Sequence, residues 1–412
     1  MLACRLFSTG RGRIGGGVTL DSIRVMTVFG TRPEAVKMAP LVQALKEAKD
    51  FETVVCVTAQ HREQLDQVLA AFSIEPDYDL DIMESRQTLT HIATKVLDQL
   101  GSVLEEVKPH IVLVHGDTST TFVASVAAFY QQIAIGHVEA GLRTWDKYSP
   151  FPEEMNRQLT GVLADLHFAP TAKAEENLLK ENKPAERIYV TGNTAIDAMR
   201  TTIRESYRHP VLDRIPEDAR IIFMTAHRRE NIGDKFEQIF QAVRDLVDAF
   251  EDVHVVYPVH LNPAVREPAN RILGNHDRIQ LIEPLDVVDA HNFMAKAELI
   301  LTDSGGVQEE APFLGVPCLV LRDTTERPEG IDAGTLRLAG TDRETIFEMA
   351  SMLLSDPEEY GKMSVAASPY GDGHASERIV AALRHYFGRG DRPTSFTPQI
   401  DAQGKYKIRK KG

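Results

Sequence analysis

Short apolar runs alternate with longer segments of helical period along most of this 412-residue chain. The first series of runs lies at residues 24–29, 53–58, 111–115, 133–138 and 188–191. After a polar interval at 205–218, a second series follows at residues 220–225, 253–258, 278–282, 299–302 and 317–321. Strands that alternate with helices form parallel sheets covered by helices on both faces. The pattern therefore predicts an α/β fold with two doubly wound domains that face each other across a cleft.

The predicted domain boundaries follow the change in pattern. We expect residues 24–195 to form the first domain and residues 196–370 to form the second. A helical segment at 371–388 is expected to pack back on the first domain and complete it. Residues 389–412 are polar and end in a Lys/Arg-rich stretch, which is typical of a disordered tail.

The N-terminal residues 1–23 contain a formal GxGxxG pattern at residues 10–15. This pattern binds a dinucleotide only where a strand precedes it and a helix starts at its third glycine. Two further glycines follow directly, and glycine disfavours a helix start, while the upstream segment is too short for a buried strand. We therefore interpret residues 1–23 as a disordered extension.

The charge balance limits the partners that the chain can have. It carries 46 Lys+Arg against 60 Asp+Glu, a formal net charge of −14, so we expect neither nucleic acid nor a membrane surface as a partner. Cys4, Cys56 and Cys318 lie far apart, so no disulfide framework is predicted. No apolar run reaches membrane-spanning length and no signal-peptide pattern is present, so we expect a cytoplasmic protein.

Two strand ends are followed by residues suited to binding anions. After the first run, Pro33 is expected at the first helical position, and Arg32 and Lys37 add positive charge at the helix N-terminus. In the second domain, Ser304–Gly306 exposes backbone amides where a helix begins, and Glu310 could accept both hydroxyls of a ribose. Solvated surface charge remains the alternative for the first motif, but two anion sites across one cleft suit a diphosphate.

Three acidic residues follow strands of the first domain, namely Asp117, Glu139 and Glu153. Carboxylates gathered at one sheet edge are what proton transfer needs, because crowding drives their pKa values apart. Structural alternatives stay open at this point. Asp117 could cap the helix that follows it, and Glu139 could pair with Arg143.

His227 ends a second-domain strand beside two arginines and would face the cleft from the other side. The chain has no Walker motif, no HExxH, no GxSxG and no clustered Cys and His residues. The residues are therefore best interpreted as holding a nucleotide diphosphate-sugar between two domains, with acids placed around the sugar.

The chain carries, in this order, the segments GTRPEAVKMAPL, VHGDTSTT, GHVEAGLRT, PEEMNRQLTG, TAHRREN and LTDSGGVQEEAP. From about residue 24 to residue 387 it closely resembles the non-hydrolysing UDP-N-acetylglucosamine 2-epimerases of bacteria. The resemblance implies two Rossmann-like domains in the manner of GT-B glycosyltransferases and a homodimer. It also implies interconversion of UDP-GlcNAc and UDP-ManNAc without a cofactor or metal, to supply ManNAc for wall or surface polysaccharides.

The resemblance also implies a mechanism, in which UDP is eliminated to leave a 2-acetamidoglucal and then adds back. It assigns residues to three tasks. Acid–base chemistry falls to Asp117, Glu139 and Glu153, with Lys37 also essential, and Glu310 binds the ribose. The charge of the leaving UDP falls to Arg32, Ser304, Gly305, Gly306, His227 and Arg327.

Bacterial members of this family are activated by UDP-GlcNAc at a second site, and Gln60, Arg86, Arg228 and His260 match positions used there. Glu63 departs from the pattern, since Gln is usual at that position, and its charge could weaken the activator. Ala290 stands where an aromatic residue usually lies beside the uracil, so stacking is expected to be looser or to come from Phe293.

Three other functions remain open at the level of sequence. A hydrolysing epimerase would release free ManNAc and UDP. A GT-B glycosyltransferase would share the Ser-Gly-Gly and glutamate nucleotide site but would not require three clustered acids. A UDP-sugar sensor would bind the nucleotide sugar without turnover.

Overall fold

The computed structural model describes residues 22–59, 62–84, 88–325, 327–365 and 368–398, without the side chains of residues 63 and 64. The glycine-rich motif at 10–15, together with Gln60 and Arg86, lies outside the described residues. Two parallel sheets with intervening helices make up the described chain, which confirms the predicted fold class.

The first sheet has seven strands in the order β3–β2–β1–β4–β5–β6–β7. These strands are β1 (Ile23–Phe29), β2 (Phe51–Val57), β3 (Tyr78–Asp79), β4 (Ile111–His115), β5 (Ala134–Val138), β6 (Leu166–Ala169) and β7 (Ile188–Val190). The helices between them are α1 (Arg32–Glu47), α2 (Arg62–Ala71), α3 (Leu89–Val107), α4 (Ser119–Tyr130), α5 (Glu153–Leu163) and α6 (Ala172–Lys180).

The second sheet has six strands in the order β10–β9–β8–β11–β12–β13. Helix α7 (Thr194–Thr202) leads to β8 (Arg220–Thr225), α8 (Asp234–Ala249), β9 (Val253–Pro258), α9 (Pro263–Leu273), β10 (Ile279–Ile282) and α10 (Val287–Lys296). The chain continues through β11 (Leu299–Thr302), α11 (Gly305–Leu314), β12 (Cys318–Val320), α12 (Pro328–Asp332), β13 (Leu336–Leu338), α13 (Arg343–Ser355), α14 (Pro357–Ser364) and α15 (Ala375–Tyr386).

Strand β1 shows why the sheets are buried on both faces. Its side chains alternate between two apolar clusters, with Val25 and Phe29 in one and Met26 and Val28 in the other. Each face of the sheet therefore packs against its own layer of helices. Of the helices within the described ranges, none is long and apolar enough to cross a membrane.

Each sheet contains a point where the strand order reverses. In the first sheet β1 is flanked by β2 and β4, and in the second β8 is flanked by β9 and β11. Ligands of open parallel sheets bind at the carboxyl ends of the strands beside such a reversal. The candidate residues that follow β1, β4, β8 and β11 therefore stand at the places where this fold binds ligands.

The C-terminal residues depart in part from the prediction. Residues 389–398 were expected in a disordered tail, but they pack along the outer strand β7 of the first sheet. The Phe396 amide donates to the Val190 carbonyl at 2.8 Å, and Phe396 is only 6% exposed. The Arg392 guanidinium lies 4.3 Å from the centre of the Tyr189 ring. Although residues 389–398 are polar in composition, they contain the buried Phe396. They also contain Arg392, which donates hydrogen bonds to the backbone carbonyls of residues 186 and 188.

Candidate active site

The turn between β1 and α1 brings the chain close to a neighbouring strand. A Cβ added at Gly30 would lie 1.9 Å from Thr58 Oγ1, so only glycine fits there. Helix α1 begins at Arg32, which makes Pro33 the second helical residue rather than the first. The Glu34 carboxylate accepts the Gly30 and Thr31 amides at 3.0 and 2.8 Å and so caps the helix.

Glu34 also joins two loops of the first domain. Its Oε1 atom accepts hydrogen bonds from Thr118 Oγ1 at 2.6 Å and Thr121 Oγ1 at 3.1 Å, at the start of α4. Burial raises the pKa of this carboxyl group, although these hydrogen bonds oppose the shift. The contact fixes the β1–α1 turn against the β4–α4 turn, where Asp117 lies.

Lys37 and Glu139 form a buried ion pair. Lys37 Nζ donates to Glu139 Oε1, and Asn193 Nδ2 donates to the same oxygen at 3.0 Å. Burial alone would raise the pKa of Glu139, but the charge and hydrogen bond of Lys37, together with the charges of His115 and Arg327, hold that pKa far below the ordinary value. Glu139 adopts a left-handed φ of 62°, a strained conformation of the kind found at functional sites. The alternative pair with Arg143 is wrong, because Arg143 binds Glu181 at 2.6 Å.

Asp117 lies beside this pair and has an arginine partner of its own. Arg157 Nε donates to Asp117 Oδ2 at 2.8 Å, and Asn156 Nδ2 holds the Asp117 carbonyl at 2.9 Å. Helix α4 is capped by Thr118 instead, so the alternative role of Asp117 as the cap is wrong. Burial raises the pKa of Asp117 despite the charge of Arg157.

Two adjacent glutamates at the start of α5 have different surroundings. Glu154 is fully buried and accepts the amides of Thr144 and Trp145 at 3.0 and 3.1 Å, which anchors the loop after β5. Glu153 Oε2 is buried without a hydrogen-bond partner among the described residues. Of the two, Glu153 therefore has the oxygen that a ligand could engage.

The N-terminus of helix α11 faces the cleft from the second domain. Gly305 is its first residue, and the Ser304 side chain does not cap it, which leaves the N-terminal amides open to an anion. A Cβ at Gly305 would lie 2.9 Å from Arg327 Cζ, so the guanidinium rests directly on this end of the helix. At Gly306 the nearest atoms to an added Cβ are 3.8 Å away, which is ordinary contact.

Glu309 reaches from α11 into the first domain. Its Oε1 atom accepts Arg327 Nε at 2.8 Å, while Oε2 accepts Asn193 Nδ2 at 2.8 Å and lies 3.7 Å from Lys37 Nζ. Burial raises the pKa of Glu309, and the charges of Lys37 and Arg327 oppose that shift. Lys37 and Glu139 of one domain thus join Glu309 and Arg327 of the other in one network.

The next residue, Glu310, points to different partners. His291 Nε2 lies 3.7 Å from Glu310 Oε1, and His291 Nδ1 is 2.7 Å from Thr202 Oγ1 on α7. Burial would raise the pKa of Glu310, but its contacts with His291 bring it below the ordinary value. Burial lowers the pKa of Arg32, and the charge of Glu310 opposes the shift from across the cleft.

His227 lies at the carboxyl end of β8, above a buried aspartate. Asp303 accepts the backbone amides of His227 and Arg228 at 2.9 and 2.8 Å, which fixes the turn. The His227 ring stacks on His260 with centroids 5.7 Å apart. Burial lowers the pKa of His227 against the charge of Asp303, and Arg32 adds to the lowering.

The expected stacking role of Phe293 is wrong. Phe293 is fully buried, and its ring packs edge-on against Tyr207 and His209, so no face is open to a base. Ala290 is partly exposed one turn earlier on α10. Among the described residues, no group of three or more His, Cys, Asp or Glu side chains is placed to hold a metal ion.

The structure therefore brings most of the predicted site residues to the facing ends of the two sheets. Four residues at this place were missed by sequence reasoning, namely His115, Arg157, Asn193 and Glu309. His115 Nε2 lies 3.9 Å from Glu139 Oε2, and burial lowers its pKa to about 4. Glu309 had one available signal, since it directly precedes the predicted ribose ligand on the same helix.

Two doubly wound sheets whose reversal points face each other define a GT-B-like α/β protein, and its candidate site sets basic side chains and a helix N-terminus opposite clustered acids. A family model described as UDP-N-acetylglucosamine 2-epimerase matches residues 43–384. The chain belongs to this family.

Individual relatives are similar over nearly the whole chain. The UDP-N-acetylglucosamine 2-epimerase of Bacillus subtilis (strain 168) is 64% identical over 379 residues, which cover 92% of this chain and 100% of that protein. The S. aureus MnaA–UDP co-structure has 57% identity and a TM-score of 0.84, covering 91% of this chain and 100% of that one. The crystal structure of UDP-GlcNAc 2-epimerase from Neisseria meningitidis bound to UDP-GlcNAc has 48% identity and a TM-score of 0.82, covering 88% and 100%.

Proposed function

We propose that this protein is a non-hydrolysing 2-epimerase that interconverts UDP-GlcNAc and UDP-ManNAc and so supplies ManNAc for wall or surface polysaccharides. The observation that carries the proposal is the buried Lys37–Glu139 pair beside Asp117, opposite the open N-terminus of α11. Carboxylates on one side of the cleft and anion-binding groups on the other suit a reaction that moves a proton on a sugar while a diphosphate leaves.

The reaction divides between the two sheets. A carboxylate removes the C2 proton, the C1–O bond breaks, and its electron pair leaves with UDP to give a 2-acetamidoglucal. A proton then returns to C2 on the other face, and a UDP oxygen forms a new bond to C1. Asp117, Glu139 and Glu153 are the proposed acid–base groups, and the pKa values of Asp117 and Glu139 shift in opposite directions, as paired acid–base groups require.

A separate group of residues is proposed to stabilise the negative charge of the departing UDP. Arg32, Arg327 and His227 are the proposed side-chain partners of the diphosphate, together with the amides of Ser304–Gly306. Glu310 is the proposed ligand of the ribose hydroxyls, and its lowered pKa supports a carboxylate that accepts two hydrogen bonds.

Regulation and assembly are further parts of the proposal. We propose a homodimer that UDP-GlcNAc also activates at a second site, which includes Arg228 and His260. His260 stacks on His227, so a ligand that contacts His260 would be linked to the proposed UDP site through one ring-to-ring contact. Gln60 and Arg86, which lie outside the described residues, are the other proposed residues of this second site.

The test is incubation with UDP-GlcNAc in deuterated water, followed by mass spectrometry and NMR. The expected product is UDP-ManNAc with deuterium at C2. Free ManNAc with UDP would instead establish a hydrolysing epimerase. Absence of deuterium exchange would sink the proposal and favour a glycosyltransferase or a sensor.

Asp117→Asn is expected to lower the rate of C2 exchange by about 10²–10⁴-fold while UDP binding persists, because it removes proton transfer and keeps the shape. Exchange and UDP titration on the same preparation check this. Asp98→Asn, at an exposed position of α3, is the matched control and should exchange normally. Retained exchange in Asp117→Asn would remove Asp117 from the acid–base group.

A further inference from the structure

Glu309 is a buried carboxylate to which the proposed reaction assigns no role. Its side chain is 3% exposed, yet both oxygens are engaged, one by Arg327 and the other by Asn193 with Lys37 nearby. A buried charge persists only where partners offset the loss of water. Helix α11 thus carries two consecutive glutamates, and only Glu310 has a role in the proposed reaction.

The network is balanced in charge. Lys37 and Arg327 supply two positive charges, and Glu139 and Glu309 supply two negative ones. Asn193 Nδ2 lies between the two carboxylates, at 3.0 Å from Glu139 and 2.8 Å from Glu309. Removing the charge of Glu309 would leave one buried positive charge in excess and concentrate both cations on Glu139.

The position of Arg327 also calls for an anchor. Its guanidinium rests on the N-terminus of α11, where the helix dipole is positive and repels a cation. A bound diphosphate would offset this repulsion, but only after it has arrived. The hydrogen bond from Arg327 Nε to Glu309 Oε1 holds the guanidinium there through the same helix.

We propose that Glu309 is a positioning residue that holds Arg327 on the N-terminus of α11 and shares Lys37 with Glu139, so that both cations are in place before UDP begins to leave. The inference rests on the proposed epimerase reaction. Glu309 touches neither sugar nor diphosphate in this assignment, and it acts on the reaction through Arg327 and Lys37.

The expected signature is a separation of turnover from binding. Glu309→Gln should lower kcat for epimerisation by about 10- to 100-fold, because misplaced groups around the reacting atoms lose rate steeply. KM and the dissociation constant of UDP should change much less than kcat, because the loosened Arg327 weakens the hold on the diphosphate while the loss of a nearby negative charge strengthens it. A purely structural role would weaken binding and turnover together.

The experiment compares three variants of the full-length chain by steady-state kinetics, C2 deuterium exchange and UDP titration calorimetry. Glu310→Gln, one residue along, should show the opposite pattern, with weakened UDP binding through the ribose. Glu176→Gln, on the exposed face of α6, removes the same charge from a side chain that is paired with Lys173 and not with a site residue, and it should match the parent chain.

Full kcat in Glu309→Gln would overturn the inference while leaving the epimerase proposal intact. A parallel loss of UDP binding would also overturn it, and absence of exchange in the parent chain would overturn both. If Glu309→Gln does not fold, Glu309→Asp carries the test, because it keeps the charge but withdraws it from Arg327 by one methylene. A reduced kcat with a smaller loss of UDP affinity is then expected, and full kcat would overturn the inference.

Discussion

Glu139 combines a left-handed backbone with a buried carboxylate, and each feature costs stability by itself. Lys37 and Asn193 offset the cost by binding the same oxygen. The strained residue directly follows β5, so its side chain is aimed back along the sheet edge toward α1. Single residues here are held by neighbours from distant parts of the chain.

The types of the site residues follow from sequence, but several of their partners do not. Arg32, Lys37 and Ser304 could be placed at helix starts because a strand end, a turn and a helix have local signatures. Asn193 and Glu309 contact each other across 116 residues, and no local pattern carries such a contact. Their pairing depends on how the two domains meet.

Ala290→Phe is expected to tighten UDP binding by about 2- to 10-fold, since aromatic stacking contributes roughly 0.5–1.5 kcal/mol. The reason is that Phe293 is buried in the core and cannot supply the ring. UDP titration calorimetry measures the change, with Lys296→Phe at the exposed end of α10 as the control. An unchanged dissociation constant would show that position 290 does not lie beside the base.

At the scale of elements, most predicted strands agree with the structure to within one or two residues, because they form continuous buried runs. Strands β3, β6 and β13 were missed, and they have only two, four and three residues. Length alone does not explain the difference, because the predicted strands β7 and β12 also have only three residues each. So short a segment shows no period, and pairing with a neighbouring strand decides whether it becomes a strand.

Three neighbouring strands each carry a buried histidine, namely His115 on β4, His137 on β5 and His167 on β6. Burial lowers the pKa of these rings to about 4, 3 and 4. In the unfolded chain they titrate near 6.5, so the unfolded state binds more protons between about pH 4 and 6.5. The free energy of unfolding should therefore fall as pH drops through this window.

Urea denaturation from pH 7 to pH 5 measures this slope. His167→Gln should reduce the slope by the equivalent of about one bound proton. A slope of the opposite sign would contradict the neutral state of these histidines.

Asp197 on α7 accepts the amides of Ala375 and Ser376 at 3.1 and 2.7 Å and so caps α15. Asp197→Ala is expected to lower the free energy of unfolding by about 0.5–2 kcal/mol, the usual cost of losing a cap. Chemical denaturation checks this. Asp98→Ala, at an exposed helical position, should change stability by less than about 0.5 kcal/mol. Equal effects of the two substitutions would contradict the capping role.

At the scale of the whole molecule, the chain returns to the domain where it starts. Helix α15 packs with the core of the first sheet through Ile379 and Leu383, and residues 389–398 continue along β7. The second sheet is therefore built between two parts of the first domain. The sequence predicted that α15 packs on the first domain. The placement of residues 389–398 after it was not predicted, because it depends on the packing of Phe396 beside Gly192.

Two truncations test the contribution of this path. One chain ends at residue 398 and the other at residue 388. The shorter chain should unfold at a lower temperature, because it loses the burial of Phe396 and the contacts of Arg392, a loss of about 3–5 kcal/mol on the scale of buried aromatic deletions. Differential scanning calorimetry measures both, and equal melting temperatures would refute the prediction.

The bond between the Asn193 amide and the Tyr370 carbonyl, 2.7 Å long, ties together the two segments that link the sheets. Were the two domains to rotate about this point, atoms beside Asn193 would move least, because displacement grows with distance from a pivot. Glu139 and Glu309, which both accept hydrogen bonds from the Asn193 side chain, would therefore keep their spacing in such a rotation.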